Sequence, residues 1–170
     1  MASVVLTLVG DDRPGLVSAL AQAVTDCGGS WHTSEMARLG GKFAGIVLVE
    51  ISDEKVDPLT QELRSLGHQG LLEVTMSRTD GEAEESTALL ELHLLGNDRP
   101  GIVHQISSVL AAQGVSIEQL ETDVRDAPEF GGQLFEARAR LVGPAEVDRR
   151  LLAEALESIA NELMVDLDLS

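Results

Sequence analysis

Two arginines stand at matching places in this 170-residue chain. Arg13 lies in GDDRPGLV (Gly10–Val17), and Arg99 lies 86 residues further on in GNDRPGIV (Gly96–Val103). A guanidinium can hold a carboxylate through two parallel N–H donors. The neighbouring Asp12 and Asp98 can receive an ammonium group. Pro14 and Pro100 suit the first position of a helix, where the N–H that proline lacks would be unpaired anyway. Gly15 and Gly101 come next, inside what reads as the first helical turn, where glycine weakens a helix by about 1 kcal/mol relative to alanine. Glycine makes sense there if a side chain would block something approaching the backbone. A helix N-terminus also presents unpaired N–H groups and a positive dipole end. Carboxylate receptors beside an ammonium receptor match an amino acid. The same four residues can equally form a plain turn, with Asp accepting backbone N–H bonds and Arg pairing with Asp11 or another acid. The residues alone leave both readings open.

The elements around each copy repeat as well. Alternating apolar runs, VVLTLV and LLELHLL, precede the octapeptides. Helical stripes follow: Leu16, Val17, Leu20, Ala23 and Val24 in one copy, Ile102, Val103, Ile106, Val109 and Leu110 in the other. Gly28-Gly29 and Gly114 then stop them. The first copy reads as strand Val4–Val9, helix Pro14–Cys27, strand Ser30–Leu39, strand Phe43–Ile51, helix 57–66 and strand Leu71–Met76. Gly40-Gly41 supplies a tight hairpin between its middle strands. The second copy reads Leu89–Leu95, Pro100–Gln113, Val115–Val124, Gln133–Val142, Pro144–Ala160 and Leu163–Leu169, with a longer hairpin around RDAPEF. Ser77–Thr87 has no periodicity and reads as a linker. The expected organisation is a domain at 1–78, an acidic linker at 79–87 and a second domain at 88–170. Two βαββαβ units make an α+β protein of two ferredoxin-like domains, each an antiparallel four-stranded sheet with both helices on one face.

The second face of each sheet then needs an account. In the second unit Phe135, Ala137, Ala139 and Leu141 alternate with Glu136, Arg138 and Arg140, which predicts one wet face. In the first unit FAGIVLVEI is apolar at nearly every position, so its open face, or an edge beside it, is expected to be covered by another domain or subunit. A homodimer is one such arrangement.

Composition narrows the function. A formal net charge of −17 without a cluster of basic residues argues against direct nucleic-acid binding, which rests on neutralising phosphates. No charged leader followed by a long apolar segment is seen, so neither secretion nor membrane spanning is supported. The lone Cys27 has no internal disulfide partner and fits a reducing cytoplasm. Neither GxxxxGK[ST] nor GxGxxG occurs. His32, His68, His93 and His104 lack metal-ligand spacing. His93 falls on the polar phase of its strand, and His104 lies close enough to Pro100 to approach a ligand at the turn or to be a plain surface residue. No catalytic residues, metal or cofactor are expected.

With the order of elements and the two octapeptides in view, the chain resembles the ACT regulatory domain, and its tandem form without a catalytic domain resembles the glycine cleavage system transcriptional repressor family. The resemblance implies a ligand site at Asp12, Arg13, Pro14 and Gly15, and at Asp98, Arg99, Pro100 and Gly101, because ACT domains bind amino acids through this first strand–helix loop. It also implies action through a protein partner, such as a DNA-binding regulator. Asp12 and Asp98 stand where amino-acid-binding members carry Asn; an ionised Asp accepts hydrogen bonds and donates none. The expectation is a non-enzymatic cytoplasmic regulator that senses an amino-acid-like ligand. A pure interaction module and a detached regulatory subunit of a metabolic enzyme stand beside it.

Overall fold

The structure is a computed structural model that describes residues 1–80, 87–129 and 131–170, with only the backbone of Thr87. Of the stretch Ser77–Thr87 read as a linker, residues 81–86 fall outside the described residues. Ser77–Thr79 belong to the last strand of the first unit and Thr87 begins the first strand of the second, their backbones paired into the sheets. The chain divides into two compact units, residues 1–83 and 84–170.

In the first unit β1 (Ala2–Asp11), α1 (Leu16–Asp26), β2 (Ser30–Leu39), β3 (Lys42–Ile51), α2 (Val56–His68) and β4 (Glu73–Thr79) follow one another. The second unit repeats them as β5 (Thr87–Asn97), α3 (Ile102–Ala112), β6 (Ser116–Asp126), β7 (Gln133–Pro144), α4 (Arg149–Leu163) and β8 (Val165–Leu169). The sheets have strand orders β2-β3-β1-β4 and β6-β7-β5-β8, with every pairing antiparallel. Both are the βαββαβ arrangement that the alternation of periods predicts.

Period-2 patterning decides which face of each sheet meets the helices. Val4, Leu6 and Leu8 of β1 and Val47, Val49 and Ile51 of β3 are buried with Leu16, Leu20 and Val24 of α1 and Leu59, Leu63 and Leu66 of α2. Leu90, Leu92 and Leu94 pack in the same way with Leu141, Ile106, Leu110, Leu152 and Leu156. Both cores are aliphatic. The opposite faces differ as the sequence predicts. Glu136, Arg138 and Arg140 point from β7 to the wet side, while Phe135, Ala139 and Leu141 are buried. On the first sheet, Val9 and Ile46 are 44% and 51% exposed, and Val5 and Leu48 are half-buried beside them.

Three helix starts differ from expectation. Helices α1 and α3 begin at Leu16 and Ile102, two residues after the prolines. Helix α4 begins at Arg149, although Pro144 reads as a first helical residue. Pro144 instead closes β7, and Asp148 caps α4 by accepting hydrogen bonds from the backbone N–H groups of Arg150 (3.0 Å) and Leu151 (3.1 Å). Such a cap satisfies two of the otherwise orphaned donors. Asp148→Ala is expected to destabilise the second unit by about 1 kcal/mol. Urea titration followed by circular dichroism measures this; an unchanged midpoint would show that solvent replaces the cap at no cost.

Candidate ligand site at the helix entrances

Each DRPG turn is held from two sides. The Asp12 N–H donates to the Gly41 carbonyl at 2.9 Å and the Asp98 N–H donates to the Gln133 carbonyl at 2.8 Å, which ties each turn to the neighbouring hairpin. The guanidiniums reach the other way. Arg13 Nη2 donates to the Gly70 carbonyl at 2.6 Å, just past the end of α2. Arg99 Nη1 donates to the carbonyl of Leu163, the last residue of α4, at 3.3 Å. A cation on the C-terminal carbonyls of a helix is favourable, since those acceptors carry the negative end of its dipole. Both arginines therefore bind the turn to the second helix of their own unit. One N–H of each guanidinium is spent on the carbonyl, and no further hydrogen bond of either is found among the described residues.

Gly15 and Gly101 are explained by the backbone. They stand at the helix caps with φ of 90° and 91°, a left-handed conformation that costs a residue with a Cβ roughly 1–2 kcal/mol. They do not lie inside the first turn, as the sequence suggested. A Cβ at either would meet nothing within 4 Å, so crowding is not the reason for glycine. The first intrahelical bonds run from Ala19 N–H to Gly15 O and from Gln105 N–H to Gly101 O, each 2.9 Å. Neither α1 nor α3 has a side-chain cap or an acidic residue in its first turn. Both helices thus open with unpaired donors, in contrast to the capped α4.

Charge separates the two copies. The Asp12 carboxylate lies 3.4 Å from Arg38 Nη1, whereas Asp98 makes no side-chain hydrogen bond or ion pair among the described residues. Asp11 forms an ion pair with Lys42, its cross-strand neighbour on β3. The Lys42 hydrogen bond and charge hold the Asp11 carboxyl below its ordinary range and raise the Lys42 ammonium. In the second unit Asn97 stands opposite Leu134 at the corresponding register, so this pair has no counterpart. Beside the first turn Asp11, Lys42, Gly67, Gly70 and Glu73 border an open depression of about 350 Å³.

The first glycine of each octapeptide has a role separate from the turn. A Cβ on Gly10 would lie 2.6 Å from the Leu71 carbonyl oxygen, and one on Gly96 would lie 2.3 Å from Val165 Cγ1. Both mark the close approach of the first strand to the start of the fourth. Their shared place before the turn was the signal available in sequence.

Among the described residues no histidine is hydrogen-bonded to a turn, although His68 ends α2 two residues before the Gly70 carbonyl that Arg13 holds, and His104 follows the second turn. His104 is exposed on the first turn of α3, where its carbonyl accepts the Ser107 and Ser108 hydroxyls at 3.1 and 2.7 Å. His93 lies on the wet face of the second sheet, its Nε2 2.8 Å from Glu136 Oε1. Arg138 and Arg125 also reach Glu136, at 2.9 and 3.4 Å. The His93 hydrogen bond, assisted by the two guanidiniums, holds the Glu136 carboxyl below its ordinary range. Such a group adds stability above its unfolded-state pKa and loses it as pH falls through the lower folded value. Glu136→Gln is therefore expected to flatten the fall in melting temperature between about pH 5 and pH 3. A slope as steep as the parent's would remove Glu136 from the acid response. Cys27 is half-buried, and desolvation pushes its thiol up. Among the described residues no group of three or more His, Cys, Asp or Glu is placed to hold a metal ion, and no helix is long and apolar enough to cross a membrane.

The ACT domain profile matches residues 2–77, nearly the whole of the first unit. The first unit is thus similar to the ACT domain. The second unit of the chain repeats the fold of the first, strand for strand. The glycine cleavage system transcriptional repressor of Escherichia coli is 24% identical over 160 residues, covering 94% of this chain and 84% of the repressor. A protein of unknown role from Galdieria sulphuraria is 31% identical in its solved structure, with a TM-score of 0.88 over 99% of this chain and 97% of that one. A structure provisionally named as a glycine cleavage system transcriptional repressor shares the fold at 21% identity and a TM-score of 0.72, over 99% and 96% of the two chains. The chain is thus similar to the Escherichia coli repressor along most of its length.

Proposed function

We propose that this protein is a non-enzymatic regulator that senses a small amino-acid-like ligand at its DRPG turns and acts through a protein partner. The observation that carries this reading is the repeated helix entrance. In both units α1 or α3 opens without a side-chain cap, behind a left-handed glycine and beside an Asp–Arg pair. Unpaired N–H groups and the remaining guanidinium donors of Arg13 and Arg99 suit a carboxylate, and Asp12 and Asp98 suit an ammonium. The relation to the Escherichia coli repressor supports control of amino-acid metabolism as the setting, in the cytoplasm. An acidic chain with net charge −17 would reach DNA through a DNA-binding partner rather than directly. The domain ranges 1–78 and 88–170, joined by an acidic linker, belong to the same proposal. Calorimetric titration of the full chain with the twenty amino acids, glycine and serine first, tests the sensor. Saturable heat from one of them supports it, and silence from all at millimolar concentration overturns it.

A second reading rests on the first sheet. Val5, Val9, Ile46 and Leu48 form an apolar stripe on its open face, which favours an interaction module that buries this face against another domain or a second copy. Light scattering tests the second copy: a dimer supports it, and a strict monomer that binds an amino acid favours the sensor.

A further inference from the structure

Between α3 and β6 the second unit contains a narrow apolar crevice of about 30 Å³, whose mouth lies between Val103 and Leu120. Both mouth residues are partly open to solvent, 44% and 42% exposed, and Ile106, Ile117, Phe135 and Ala139 line the interior. That volume admits about two methyl-sized groups, and an apolar wall offers water too few partners to hold it there.

At two interior places the first unit has larger side chains, whereas at the mouth Ser34 stands where the second unit has Leu120. By strand register Ile117, opposite Leu141, corresponds to Trp31, opposite Val49; Ala139, opposite Leu92, corresponds to Val47, opposite Leu6. Trp31 packs on the first core, and its Nε1–H donates to Ser34 Oγ at 3.2 Å. Ser34 stands opposite Val47, so the indole runs along the stretch that corresponds to the crevice. Exchange of Trp for Ile and Val for Ala removes the volume that closes it in the second unit.

Val103 is the second residue of α3, so its side of the mouth lies at the helix's first turn, two positions past Gly101. We infer that the second unit selects an amino acid with a short branched aliphatic side chain, valine-sized, which enters the crevice while its charged end sits at the turn. The first unit, filled by Trp31 and Val47, makes no such selection. This inference rests on the sensor reading and gives it a ligand class.

Calorimetric titration of the full chain with L-valine, glycine and L-aspartate tests it. Valine is expected to bind at least about tenfold more tightly than glycine, as burial of its methyl groups requires. Ile117→Trp, which installs the residue found in the first unit, is expected to bring valine down to the glycine level and leave glycine unchanged. Ala139→Val is expected to do the same and serves if the tryptophan variant fails to fold by circular dichroism. Equal binding of valine and glycine in the parent, or undiminished valine binding in the folded variants, overturns the crevice and leaves the sensor reading standing. No binding of any of the three amino acids overturns the crevice; silence across all twenty overturns the sensor reading as well.

Discussion

Gly10→Ala is expected to destabilise the first unit by about 3 kcal/mol, with Gly96→Ala doing comparable damage to the second. The added Cβ of Gly10→Ala meets a backbone oxygen, that of Leu71, at 2.6 Å. A main-chain carbonyl next to the first residues of β4 moves only if the strand moves, and β1 pairs with β4 from Ser3 to Val9. At Gly96 the obstacle is the Val165 side chain at 2.3 Å, with its Cα at 3.0 Å behind it. A stability of roughly 4–12 kcal/mol for a unit of about 80 residues leaves little margin for such a loss. Trp31, the single tryptophan, lies in the first unit and reports its unfolding by fluorescence; circular dichroism reports both. Gly10→Ala should shift the fluorescence midpoint in urea, whereas Gly96→Ala should shift the dichroism transition. A change below about 0.5 kcal/mol in both would mean that β4 and β8 yield freely.

The second large effect concerns ligand response. Gly101→Val is expected to abolish saturable amino-acid binding at the second turn and also to lower stability by about 2 kcal/mol or more, because a β-branched residue at φ near 91° is a backbone outlier. Gly15→Val should behave alike in the first unit. The two effects are separable. Gly101→Ala imposes most of the backbone cost without the branched side chain over the helix entrance. Retained binding in the alanine variant with loss in the valine variant points to occlusion, and loss in both points to the altered turn. Unaltered affinity in both valine variants would show that the turns are architecture only.

Much of the architecture was legible because alternation and helical spacing are local. β2 was read as Ser30–Leu39, as it stands, since Gly40-Gly41 punctuates its end. The helix starts were misread where local chemistry gives two answers. Pro14 is a good first helical residue, yet the left-handed cap falls on Gly15; Pro144 looks like a helix start, yet Asp148 provides the cap. The turns were visible as motifs, but their partners were not. The carbonyls that receive Arg13 and Arg99 lie 57 and 64 residues away, and no short-range pattern points to them. Gly10 and Gly96 belong to the same class, because their constraint is a neighbour brought in by the last strand.

The ion pair between Asp11 and Lys42 beside one turn, against uncharged Asn97 and Leu134 beside the other, has a consequence for dose response. On the proposed reading one polypeptide carries two detectors in a fixed one-to-one ratio, each with its own threshold. Signal would then rise over a broader span of concentration than a single saturable detector covers, and no change in expression could alter the balance between the two.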